Sequence, residues 1–125
     1  MEPLTREQMI AEFGEPGVEN PKLVDLITTD PGADTVVLVM FERRAWEASP
    51  AQFRQIEEKI NRYLGYALDG FLVQHYPQYK GKPIQLRLDC AEEPHGEAVR
   101  FVEAAREAIR ATGLDLVVNV TTPTP

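Results

Sequence analysis

Cys90 and His95 are the first residues in this chain whose types and spacing could do chemistry. A cysteine near an imidazole can act as a nucleophile if the thiol is exposed and easily deprotonated. Cys90 also continues the alternation of Ile84, Leu86 and Leu88, however, and that places it on the inward face of a strand. A buried structural cysteine is the expectation there. Asp89, Glu92, Glu93, His75 and His95 have the chemistry of metal ligands, but none of them falls into a spacing such as H-E-x-x-H. Glu92-Glu93-Pro94 reads instead as a solvated loop that sets acids near the positive end of a following helix. No residue is assigned a catalytic or metal-ligating role, and no cofactor is expected.

A second cluster is aromatic. His75, Tyr76 and Tyr79, with Tyr63, Tyr66 and Phe71, crowd the middle of the chain. Converging on a concavity, His75, Tyr76 and Tyr79 would make a small-ligand site. The competing expectation is a hydrophobic seal, because half of these aromatics fit a helical stripe or its continuation. Trp46 follows Arg43-Arg44 and is either an exposed anchor for a partner or a buried cap on the core. The glycines form neither G-x-G-x-x-G nor a phosphate loop, and no G-x-S-x-G elbow occurs.

Elements must hold these residues, and 125 residues allow one domain. The expected division is an N-terminal helix and linker over 1–20, a single α+β domain over 21–122 and a disordered tail over 123–125. Thr5 and Gln8 make a capping box for a short helix ending near Phe13. Leu23 to Thr29 and Thr35 to Glu42 read as two strands joined by Asp30-Pro31-Gly32-Ala33-Asp34, a turn in which glycine supplies the positive φ. The second strand is apolar on both faces, so it belongs in the middle of a sheet.

Ser49 caps the main helix and Pro50 takes its first position. Phe53, Ile56, Ile60, Tyr63, Leu64 and Ala67 form its buried stripe, while Arg54, Lys59 and Arg62 interleave with Glu57 and Glu58 on a face expected to be wet. Gly65 is a candidate point of close helix–sheet contact. Pro83 to Cys90, Gly96 to Thr112 and Leu114 to Thr121 then read strand, helix, strand. The two strands should be parallel neighbours. The fold class is α+β: a two-layer sandwich with a four-stranded mixed sheet in the order ββαβαβ, two main helices on one face and the short N-terminal helix besides.

The segments YPQYKGKPIQLRLDCAEEP and EAVRFVEAAREAIRATGLDLVVNV, with VDLIT and EEKINRYL ahead of them, resemble a family of small bacterial proteins known only as a domain of unknown function. The resemblance covers Val24 to Val120. It implies a fold of this kind and carries over no functional residue.

The formal net charge is −7, with ten acids against four bases before Ser49. An acidic domain repels phosphate, so nucleic acid is not an expected partner. The apolar run Val36 to Phe41 is strand-length, and no export signal is visible, so no membrane partner and a cytoplasmic location are expected. The single cysteine asks for no oxidising compartment. These features point to a non-enzymatic protein-interaction module. Its partner would be a second copy or another protein, met through the uncovered sheet face by Ile27 and Val117, with Trp46 as a further contact. A ligand-binding protein or weak enzyme using His75, Tyr76 and Tyr79 is the rival, and an acidic partner of a basic protein is a third reading.

Overall fold

The computed structural model describes Gln8 and residues 15–21, 23–47 and 49–121. The expected helix from Thr5 to Phe13 and the tail after Thr122 lie outside the described residues, apart from Gln8. β1 (Leu26–Asp30) and β2 (Thr35–Glu42) form a hairpin; α1 (Pro50–Leu68), α2 (Phe71–His75) and a 3-10 turn (Pro77–Tyr79) follow; β3 (Ile84–Cys90), α3 (Glu97–Arg110) and β4 (Asp115–Val120) complete the chain. The sheet order is β1-β2-β3-β4. The hairpin is antiparallel, while β2, β3 and β4 run parallel. The architecture is the expected mixed α+β sandwich.

Strand alternation decides which residues the helices cover. Leu38, Leu86 and Leu116 lie in one register row with Ile27, and all four belong to the core or pack on it. Met40 and Leu88 form the next row, and Glu42 pairs with Cys90 in the one after. From the helix side Ile56, Ile60, Tyr63, Ala98, Val102 and Ile109 fill the same core. The apolar run of β2 is buried throughout from Val36 to Met40, as its interior place in the sheet requires.

Three local expectations are corrected. Positive φ in the hairpin turn is taken by Asp34 (φ 52°), not by Gly32, whose N–H is held by the Asp30 carboxylate at 3.1 Å. The first strand begins at Leu26, three residues later than read, because Asp25 turns its side chain into the place of a ladder partner. Gly65 makes no close sheet contact: a Cβ built there meets only the Asp69 carboxylate, at 3.7 Å.

α1 starts as its sequence dictates, with Ser49 Oγ accepting the Gln52 N–H at 3.1 Å. Ser49 to Gln52 has the spacing of a capping box, but the Gln52 side chain does not close it. It bonds Ala45 O and the Glu47 N–H and is buried under the β2–α1 loop. Lys59 is the larger surprise, because a lysine read as wet is fully buried.

Candidate functional site

Among the described residues, most buried polar groups collect in two places, and each is fully engaged. The first joins α1 to the chain ahead of β1. The Lys59 ammonium donates to Asn20 O, to Leu23 O at 2.7 Å and to Asp25 Oδ1 at 2.7 Å. Asp25 Oδ1 also accepts the Gly17 N–H, and Oδ2 accepts the Phe41 N–H at 3.0 Å. The Tyr63 hydroxyl accepts from the Asp25 N–H at 2.7 Å and donates to Val39 O at 2.6 Å. It bridges the Asp25 N–H to Val39 O just beyond the last pair of the β1–β2 ladder, Leu26 with Val39. Burial lowers the Lys59 pKa, against the pull of the Asp25 hydrogen bond and charge. Burial and the nearby Asp25 charge raise that of Tyr63. All three ammonium protons have acceptors, so this lysine is spent on structure.

The second place is the carboxyl end of the parallel strands, where α/β sheets often bind ligands. Glu42 is wholly buried and takes a two-pronged bond from Arg44, at 2.9 and 2.7 Å. That bond, ahead of the neighbouring acidic charges, raises the Arg44 pKa. Across this end Trp46 donates its backbone N–H to Glu92 Oε1 at 2.8 Å and its indole N–H to Glu92 O at 2.9 Å. Those bonds fasten the β2–α1 loop to the β3–α3 loop. The Trp46 bond, then that from His95, lowers the Glu92 pKa. Phe53 and Phe101 stack at 4.6 Å. The cross-loop bonds and the aromatic stack tie this end together with the protein's own groups.

Cys90 is completely buried, with Sγ 3.8 Å from Leu88 O. Burial, then the charges of Glu42 and Asp89, pushes its thiol up to about 12. That is the opposite of an activated nucleophile. Among the described residues no three of His, Cys, Asp and Glu are grouped to hold a metal ion.

The sequence-derived site residues fall in separate places. Tyr66 Oη and His75 Nδ1 are 3.0 Å apart, and the Tyr76 and Tyr79 rings lie 5.6 Å from each other. His75 and Tyr76 are exposed, and Tyr79 is partly buried against the core. Trp46 is 5% exposed, so its apolar surface is already covered. Ile27 lies on the helix-covered face beside Leu38, and Leu26 takes the outer one. Val117 does lie on the outer face, in the row of Leu26, Val39 and Arg87. Val37 and Val39, central on that face, are buried. Beside them Arg87 and Asn119 both donate to the Asp89 carboxylate.

A cavity of about 300 Å³ opens between α1 and α3. Its apolar wall comprises Ile60, Leu64, Phe101, Ala104, Ala105, Ala108 and Ile109, and Glu57 and Asn61 supply the polar margin. The helical period of the main-helix stripe marks Ile60 and Leu64, but gives no role to Ala104 and Ala108. The available signal was alanine where a wet helix face usually carries charge.

The model of a family of unknown function, DUF6572, matches residues 17–122, and the chain belongs to that family. The match begins at Gly17, whose N–H is held by Asp25. No curated protein and no solved structure matches the chain. Among the described residues no helix is long and apolar enough to cross a membrane.

Proposed function

We propose that this member of the family is a non-enzymatic cytoplasmic protein-association module that receives a basic amphipathic helix of a partner between α1 and α3. The observation that carries the reading is the apolar cavity of about 300 Å³ between those helices. A groove flanked by two helices suits the apolar stripe of a third, and Ala104 and Ala108 let it come close. Its one charged wall residue, Glu57, is acidic, and the chain carries −7 overall. Both favour a basic partner and disfavour nucleic acid. The outer sheet face is the weaker surface, because Val37 and Val39 are already buried and Arg87, Asp89 and Asn119 are polar.

A fluorescent Leu/Lys amphipathic helix tests the proposal by anisotropy. It should bind the wild type, more weakly as salt rises. Ala104→Arg fills the groove from an exposed position and should weaken binding at least about tenfold. Failure of the wild type to bind, or equal binding by the variant, would overturn the reading. A second reading, a small-ligand site around His75, Tyr76 and Tyr79, is favoured by the 3.0 Å contact between Tyr66 Oη and His75 Nδ1. It requires ligand binding that His75→Ala abolishes and Ala104→Arg leaves intact.

A further inference from the structure

β4 is an edge of the sheet, and its outward backbone groups are treated unequally. Thr121 donates its N–H to Cys90 O at 2.8 Å, so residues 115, 117, 119 and 121 turn their backbone groups toward β3. Leu116, Val118 and Val120 therefore turn theirs outward. The protein covers the first of these. Asp115 Oδ1 accepts the Leu116 N–H at 2.9 Å, and Arg106 Nε donates to Leu116 O at 3.3 Å. Among the described residues no hydrogen bond reaches the outward groups of Val118 or Val120.

The Arg106 bond also fixes which side of α3 overhangs this edge. Val99 lies two turns earlier on the same helix side, at the end of the helix near the carboxyl end of the strands. Val99 is 40% exposed and Val120 is 38% exposed. An uncovered backbone segment thus meets an exposed apolar pair. Natural edges are commonly blunted by charge, proline or a cover. Here the charges stand only at the Leu116 end, and Leu116 to Thr121 contains neither charge nor proline.

We propose that two copies of this chain pair antiparallel through the Val118–Val120 segments of β4, joining their sheets into one of eight strands. The occupant follows from charge and direction. The segment is neutral, so its own copy meets no like charge there, despite a net charge of −7 on each chain. Antiparallel pairing over the carboxyl halves of the strands sends the two guarded ends, with Arg106, Arg110 and Asp115, to opposite outer margins. A two-fold axis lets each copy supply what the other lacks: an N–H for a C=O, and Val99 with Val120 for their counterparts. This interface is separate from the α1–α3 groove and does not depend on it.

Sedimentation equilibrium at high micromolar concentration tests the pairing. The wild type should form a dimer. Val120→Pro removes an N–H that the internal ladder does not use, so the fold should survive while pairing weakens at least about tenfold. Val99→Lys should also weaken the dimer, without touching the backbone. Amide exchange should slow at Val118 and Val120 on concentration of the wild type. A wild type that stays monomeric, or a dimer unchanged in both variants, would overturn the proposal. Ala104→Arg should leave the dimer intact, which separates this interface from the groove.

Discussion

Lys59 Nζ lies 2.7 Å from Asp25 Oδ1, and neither side chain is exposed. The pair ties the middle of α1 to the chain that precedes β1. Removing one partner leaves the other buried and unpaired, at a cost of about 3–5 kcal/mol. Asp25→Ala should therefore lower stability by roughly that amount in urea denaturation, and the double variant Asp25→Ala/Lys59→Met should lose less than the two single losses combined.

The same lysine gives a signed pH dependence. Its folded pKa lies below the ordinary 10.5, chiefly through burial. Between the folded value and 10.5 the unfolded chain binds more protons, so the contribution of Lys59 to stability rises with pH through that window and is lost as pH falls. Tyr63, with its raised pKa, is present in wild type and Lys59→Met alike. The stability difference between the two proteins should shift toward the wild type as pH climbs to 10.5; a flat difference would contradict the assignment.

Tyr63→Phe isolates the hydroxyl that bridges the Asp25 N–H to Val39 O. It leaves the Asp25 N–H and Val39 O without that partner. The expected loss is about 1–3 kcal/mol, with the ring still packed in the core. Amide exchange should quicken first at Asp25.

The apolar run of β2, the Ser49 cap and the alternation of β3 were legible because each follows from local spacing. Lys59 was not. A lysine between Glu58 and Ile60 reads as wet unless its acceptors are known, and those come from residues 20–25, far away in sequence. Glu42 was hidden in the same way, its partner Arg44 being read only as a flank of Trp46. The face of Ile27 depends on the hairpin register that pairs Asp30 with Thr35, not on the alternation of β1 alone. The groove appears only when α1 and α3 are set side by side.

Cys90 should resist thiol reagents in the native protein and react after denaturation. Its thiol, held up to about 12 against 9.0 in the unfolded chain, contributes stability that is full below pH 9.0 and is lost as pH rises through 12. Cys90→Val should remove that part of the alkaline slope, while Cys90→Ser should cost about 1–3 kcal/mol by burying a hydroxyl. Rapid native labelling would contradict the placement.

Gly65→Ala should stabilise the protein. The position is inside α1 and the added methyl meets open contact distance at Asp69. The expected gain is about 0.5–1 kcal/mol, seen as a raised urea midpoint. A loss would mean that a closer neighbour is present than the 3.7 Å contact implies.

Chemical-shift mapping of the labelled protein with the Leu/Lys amphipathic helix tests the association reading most directly. Shifts should concentrate at Ile60, Asn61, Leu64, Phe101, Ala104 and Ala108, and disappear in Ala104→Arg. Shifts centred on His75, Tyr76 and Tyr79, or none at saturating helix, would contradict it.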